Sequence, residues 1–375
     1  MGNTISLLLL FDEDFFQDVN LLLGEEPELV LVLFNAISSM NVDMRKEGPQ
    51  QLRLGLKRSP WRRLLQNNSE IEFKRYLGVT TDIFNKLCSI FNLHAREYHS
   101  KKYQRAPADK YDANAPNTYN NNRVFIEDKI GIVLIFMLSK CEIKYMSLIF
   151  GICRQRISRE INADMSILVE ALQNHPDAAV AWPTADEMDK LIARTNHKYP
   201  MLDRYNVWGA VDGCKIAIQT STDSDLQAAY YNGWLHSHVV VNVLAVDTKG
   251  KFRFAILNTL GTTHDSAAAL LGGLYHKIAA TPNRNLTGDA AFAAVPGLIK
   301  LDDRNVIHLQ HGQNLRQFRQ ISEWAMGIFQ LPRLRCVLPL HNHELRQNIL
   351  SFSVLFNNFK VSNGMKNEIT TAFDA

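Results

Sequence analysis

Four acidic residues, Asp212, Asp265, Asp289 and Glu323, stand where carboxylates could act together. Asp212 interrupts VWGAVDG, where five of the six residues from Val207 to Asp212 are apolar or Gly. Burying an ionised carboxylate without a partner is costly, so Asp212 must cap a turn at Gly213, pair with a cation or coordinate a metal. Singly, each acid has an ordinary structural role: a turn for Asp212 and Asp289, a helix N-cap for Asp265, a solvated helix face for Glu323. Jointly they offer hard oxygen ligands of the kind Mg²⁺ takes alongside waters and substrate phosphate. Two such ions a few ångströms apart activate a water or 3′-hydroxyl and stabilise the leaving oxygen when a phosphodiester is cut.

The elements that must position these acids are strands followed by a helix. The run from Val207 is followed by HSHVVVNVLAVDTKG (236–250) and KFRFAILNTLG (251–261), a hairpin joined at Asp247 to Gly250. HDSAAALLGGLYHKI reads as one helix with Asp265 or Ser266 near its N-cap. RNLTGDAAF (284–292) reads as a short strand ending at Asp289, and QNLRQFRQISEWAMGIF (313–329) as an amphipathic helix carrying Glu323. If the first and fourth strands are neighbours, Asp212 and Asp289 emerge side by side, and a packed helix can bring Glu323 to the same edge.

The earlier part of the chain is helical in pattern. Glu70 to Leu93 carries apolar residues at helical spacing and predicts two short helices. VFIEDKIGIVLIFMLSK (124–140) is an apolar helix too short, and too charged at its ends, to span a membrane. KYMSLIFGICRQRISREINADMSILVEAL (144–172) breaks at Gly151, and its second helix opens with Arg154, Gln155, Arg156 and Arg159. That is the layout of a helix-turn-helix, whose second helix presents its N-terminal side chains to DNA; Gly-containing helical hairpins also occur in proteins that never touch DNA. RLGLKRSPWRRLL (53–65) sets five basic residues around Trp61, as a phosphate contact or as a solvated face with one buried ring. HSKKYQRAPADKYDANAPNTYNNN (99–122) predicts an exposed loop, and the Pro-containing stretch from Asp177 to Tyr199 a bridge between the halves.

Charge and cysteine usage narrow the classes. The chain has 375 residues, 41 of them Lys or Arg and 38 Asp or Glu, but residues 1–44 hold eight acids and no Lys or Arg. Beyond residue 44 the balance is therefore 41 basic to 30 acidic residues, which suits a polyanionic partner such as DNA. The five cysteines are scattered and form no C-x-x-C pair, so neither a disulfide framework nor a Cys-ligated zinc site is expected. MGNTISLLLLF has no positive n-region, so no signal peptide and no membrane association are expected, although Gly2 with Ser6 matches an N-myristoylation pattern.

The order VDG, GTTHDS, GDAAF, RQISE resembles the PIF/Harbinger family of transposases and its domesticated relatives, the Harbinger-derived nucleases. Arg319 and Glu323 keep that family's R-x-x-x-E spacing, and 34 residues separate Asp289 from Glu323. SPW near residue 60, FKRYLGVTTDIFNKL, the helix-turn-helix, VLFNNF and NGMKNEITTAF extend the likeness along most of the chain. The resemblance implies an α+β chain with a helical N-terminal half and an RNase H-like mixed β-sheet flanked by helices, a DDE nuclease core. It implies a variable region at 1–58, a helical DNA-binding region at 59–182 with its helix-turn-helix at about 144–172, and an endonuclease domain at 200–375. It also implies that Asp212, Asp289 and Glu323 form a catalytic triad holding Mg²⁺ or Mn²⁺, with Asp265 a fourth acidic ligand that His264 orients. Arg154, Gln155, Arg156, Arg159, Arg319 and Arg333 are the expected DNA contacts. Cys214 and Lys215 depart from the family, which often has Thr and His there. Gln330 stands where related transposases often have a phosphate-contacting Lys, a charge PRLRC (332–336) could supply instead. A Myb-like DNA-binding accessory protein, a homo-oligomer and a nuclear location, with the cytoplasm as a second compartment, complete what the family implies. Two other functions remain open: a domesticated, catalytically silent DNA-binding or regulatory protein, and a metal hydrolase of small phosphoesters.

Overall fold

The computed structural model describes residues 55–103, 124–300 and 309–374. The acidic segment 1–44, the Gly2 pattern, Arg53 and most of the polar stretch 99–122 lie outside the described residues. The described chain forms two compact units, one up to Ile167 and one from Leu168.

The first unit is built of helices whose ends are written in the sequence. Helix α1 (Pro60–Asn67) starts with Ser59 accepting the Arg62 N–H and Pro60 in its first turn, and it stops where Asn68 turns left-handed. Helix α2 (Glu70–Leu77) is capped by Ser69 and ended by Gly78 at φ 58°. Helix α3 (Thr81–Tyr103) is longer than its pattern suggested: the first residues of the stretch read as an exposed loop continue it. Helix α4 (Ile126–Leu138) is the unit's apolar centre, with Ile130, Ile132, Val133, Leu134 and Met137 fully buried. Helices α5 (Ile143–Phe150) and α6 (Arg154–Gln173) follow, parted by Gly151 at φ 67°, the break the sequence predicts.

In the basic cluster around Trp61 the ring and Arg62 are structural, whereas Lys57, Arg58 and Arg63 are exposed. Trp61 is buried and its indole N–H donates to Asp128 Oδ1 at 2.9 Å, while Arg62 pairs with Asp128 Oδ2 at 2.6 Å. The ring lies where a Cβ on Gly131 would sit, so α4 needs glycine at that level.

The second unit begins with a helix where the sequence suggested a bridge. Thr184 and Glu187 form a capping box that starts α7 (Ala185–Lys198), and its apolar face of Met188, Leu191 and Ile192 enters the core with Trp208 and Val211. Pro183 lies just before the helix and does not interrupt it.

The sheet contains β1 (Val207–Ala217), the two-residue β2 (Tyr231–Asn232), β3 (Ser237–Asp247), β4 (Phe252–Thr259), β5 (Asn285–Gly288) and β6 (Leu298–Lys300). Its order is β2-β3-β1-β5-β6, with β4 also paired to β3. β1 and β4 run antiparallel to β3, whereas β5 runs parallel to both β1 and β6, so the sheet is mixed. Every residue of β3 from Val239 to Asp247 is buried, as suits a Val-rich strand in the middle of a sheet. Between β1 and β3 lies the short helix α8 (Ser224–Tyr230).

The segment read as one helix after the hairpin is two, α9 (Asp265–Leu271) and α10 (Leu274–Ala279). Gly272 and Gly273 part them, the second at φ 73°. Helix α11 (Leu309–Phe329) packs on β1, and its buried Phe318 meets the rings of Tyr199 and Phe373 edge-on. Helix α12 (His343–Ser362) covers β4, and α13 (Glu368–Asp374) closes the chain against α11.

Candidate functional site

Asp212 is not at a turn. β1 continues five residues beyond it to Ala217, with Asp212 opposite Leu244 of β3. Its Oδ1 accepts the N–H of Gly213 at 2.8 Å, and its Oδ2 accepts the hydroxyl of Ser322 at 3.1 Å. Ser322 also donates to the Arg319 carbonyl at 2.9 Å, so the hydroxyl is shared between the helix backbone and the acid.

Strand register explains why Asp289 comes near. Ala210 of β1 is level with Thr287 of β5 in a parallel pair. Two residues further on each chain are Asp212 and Asp289, on the same face because side chains alternate with period two. Asp289 follows the last residue of β5, is half-buried, and accepts the Ala291 N–H at 3.0 Å.

The two charges feel one another. Burial pushes the Asp212 carboxyl above its ordinary range, the Gly213 N–H opposes this, and the Asp289 charge raises it further; the Ser322 hydroxyl and the Arg319 charge pull the other way. Among the described residues no ion pair reaches Asp212 or Asp289.

Asp265 arrives from the other side of β1. It is the first residue of α9, one place inside the N-cap, which His264 occupies without a side-chain capping bond. A Cβ on Gly213 would lie 2.5 Å from the Asp265 Cγ, so glycine at 213 leaves the space that carboxyl fills. Lys215 Nζ stands 3.3 Å from Asp265 Oδ2, while Asp265 Oδ1 is buried with no hydrogen-bond partner. Cys214 sits between them with its thiol pushed up to about 11 by burial, and Gln330 donates to its sulfur at 3.2 Å. Gln330 thus packs against β1, a role the sequence comparison with a phosphate-contacting Lys did not suggest.

Glu323 is exposed on α11, next to Ser322 and one turn beyond Arg319. Ser322 is the residue that sequence reasoning missed; its place beside Glu323 on a helix packed against β1 was the available signal. Arg333 lies half-buried on the 3₁₀ turn Pro332–Arg335. In the first unit, Arg154, Gln155 and Arg159 are exposed at the start of α6, whereas Arg156 is half-buried and its Nε lies 3.2 Å from Glu160.

Among the described residues no group of three His, Cys, Asp or Glu side chains is close enough to hold a metal ion. The donor chemistry nonetheless fits a hard cation, because Mg²⁺ needs only one or two carboxylates with water and phosphate completing its shell. Among the described residues Asp212 and Asp289 have no ion-pair partner, with the Arg319 charge acting on Asp212 without pairing with it, and Asp265 meets β1 at Gly213, on the opposite face. No described helix is long and apolar enough to cross a membrane. No curated protein and no solved structure matches the chain. Residues 211–358, which contain Asp212, Asp265, Asp289 and Glu323, are similar to the family model described as DDE superfamily endonuclease.

Proposed function

We propose that the protein is a divalent-metal-dependent DNA endonuclease of Harbinger type, a transposase or its domesticated descendant, whose second unit is RNase H-like. The observation that carries this is that Asp212 and Asp289, without an ion-pair partner among the described residues, are brought level by parallel strands within the segment similar to the DDE superfamily endonuclease model. Asp212 and Asp289 would hold Mg²⁺ or Mn²⁺, with Glu323 and Asp265 completing the acidic set. The bound ion would supply an activated water, or an activated 3′-hydroxyl in strand transfer, and charge neutralisation at the leaving oxygen.

The chain's own groups do the positioning. Ser322 and the Gly213 N–H fix the Asp212 carboxylate, and the shielded strand floor of Val211 and Leu286 limits water beneath it. Arg319 and Arg333 would neutralise phosphate. In the region 59–182, α5 and α6 would act as a helix-turn-helix, with Arg154, Gln155, Arg156 and Arg159 facing DNA; the Arg156 pair with Glu160 would have to open for that contact. The nuclease function would occupy 200–375. A Myb-like DNA-binding partner, self-association and a nuclear location belong to the same proposal.

A catalytically silent, DNA-holding descendant is the second reading, favoured by the exposure of Glu323 and the absence of a three-carboxylate cluster among the described residues. Plasmid nicking by the full-length protein with Mn²⁺ separates the two. The endonuclease nicks, and Asp212→Asn stops the nicking while leaving salt-dependent DNA binding nearly intact. Binding without any product assigns the silent role, and loss of binding together with nicking in Asp212→Asn contradicts the assignment of Asp212.

A further inference from the structure

Trp234 is 89% exposed, the most exposed of the large apolar side chains described. It stands in the turn that joins β2 to β3, and that turn is fastened. The Asn232 side-chain carbonyl accepts the Leu235 N–H at 3.1 Å, and the Asn232 amide donates to the Gly261 carbonyl at 2.8 Å. Tyr231 stacks at a tilt on His238, with ring centres 5.4 Å apart. Gly261 opens the loop that leads to Asp265, and this loop is held from a second side where Thr262 donates through both its N–H and its hydroxyl to the Ala229 carbonyl. A Cβ on Gly261 would collide with the carbonyl oxygens of Tyr230 and Val239, so the loop and the turn are packed backbone to backbone.

An exposed indole on a pinned turn has no folding benefit, since the ring stays in water. It does have a recognition benefit, because a rigid ring loses little entropy when it is covered. The chemistry around it favours a nucleic acid. From Tyr230 to Val246 there is neither an acidic residue to repel a phosphate nor a Lys or Arg, and His236 and His238 flank the turn. Along β3, six residues separate Val243, which pairs with Gly213, from Ser237 at the turn. The turn therefore stands on the order of 20 Å from Gly213, within one helical turn of duplex DNA.

We infer that Trp234 is a stacking platform for an unpaired base of the DNA that the Asp212 site acts on. The inference rests on the endonuclease reading and adds to it the form of the substrate: a duplex locally opened beside the site, with one base leaving the stack to lie on the indole. Aromatic stacking of this kind is tolerant of base identity and strengthens binding to unpaired nucleotides specifically.

The test measures affinity of the full-length protein, with chelator present so that nothing is cut, for a paired duplex and for the same duplex carrying a short unpaired bubble. The wild type should prefer the bubble. Trp234→Ala should lose about tenfold on the bubble, from the worth of one stacked base, and nothing on the paired duplex; Trp234→Phe should recover most of the loss. Equal loss on both DNAs, no loss on either, or a change in self-association alone would overturn the assignment. Plasmid nicking on the same preparations keeps the two ideas apart. A wild type that nicks while Trp234→Ala binds the bubble normally refutes only the platform, whereas a wild type that neither binds nor nicks refutes the endonuclease as well.

Discussion

Lys129 in the first unit stands between two acids, 2.6 Å from Glu160 and 2.7 Å from Asp164, whereas Asp212 in the second unit faces Asp289 with no lysine or arginine in contact. Both sets are removed from water, yet their charges are managed differently. Burial opposes the Lys129 charge, but the two carboxylates outweigh it and hold its pKa above the ordinary value. Burial would raise Glu160 too, and Lys129 more than offsets that, so Glu160 stays low and keeps its charge. Asp164, the deeper acid, is pushed up to about 7, chiefly by burial. Lys129 thus serves both acids, with Arg156 also pairing with Glu160, so the cluster carries its cations within the protein. At Asp212 the opposing groups are an N–H, a hydroxyl and a more distant arginine, and the carboxyl remains raised. An acid with its cation built in ties α4 to α6; an acid left without one is available to a cation from solution.

The largest expected effect breaks the complete cluster. Lys129→Met leaves Asp164 buried without a cation and Glu160 with Arg156 alone, and should cost roughly 3 kcal/mol in urea unfolding. A loss within error would mean that the cluster is solvated and the contrast with Asp212 unfounded.

The opposite sign is expected at the second site. A carboxyl whose folded pKa is raised binds its proton more tightly in the folded state, so its stabilising contribution is present at low pH and is lost as pH rises through the folded pKa. At neutral pH and without metal, Asp212 therefore costs stability. Asp212→Asn, which cannot ionise, should raise the thermal midpoint at neutral pH in the absence of metal. A lowered midpoint would show that Asp212 is a structural acid like Glu160.

Asp164 allows a finer comparison. Its shift from 3.8 to about 7 predicts that the first unit loses stability as pH rises across that interval, and that Asp164→Asn flattens the loss. Unfolding midpoints measured along a pH series would show this, and an unchanged slope in the variant would remove Asp164 as its source. The smallest effect concerns DNA: Arg154→Ala or Arg159→Ala should each lower the salt slope of DNA binding by about one, since both side chains are exposed at the start of α6. Arg156→Ala should change it less while the Glu160 pair holds.

Much of this was legible from local signals. Gly151 announced the break between α5 and α6, and the turn from Asp247 to Gly250 announced the hairpin, whereas the side-by-side placement of Asp212 and Asp289 followed only on the condition that β1 and β5 are neighbours, which the structure meets. Other features depended on partners far along the chain. Nothing local distinguishes Asp212 in a strand from an Asp-Gly turn; what extends β1 is the nine-residue pairing with β3. Gly213 reads as a turn residue until the Asp265 carboxyl is seen in the space it leaves. Ser322 and Gln330 became partners of β1 only when α11 docked on the sheet. Helix α7 is a different case, since its capping box and its apolar spacing at Met188, Leu191 and Ile192 were present in the sequence and were outweighed by the prolines around them.

The most direct measurement is a calorimetric titration of the full-length protein with Mn²⁺, comparing the wild type with Asp212→Asn and Asp289→Asn. Binding by the wild type that both substitutions abolish is the predicted result, since among the described residues neither Asp212 nor Asp289 has an ion-pair partner. Binding that survives both substitutions, or no binding by the wild type, would contradict the account and leave Asp212 a strained acid in the sheet.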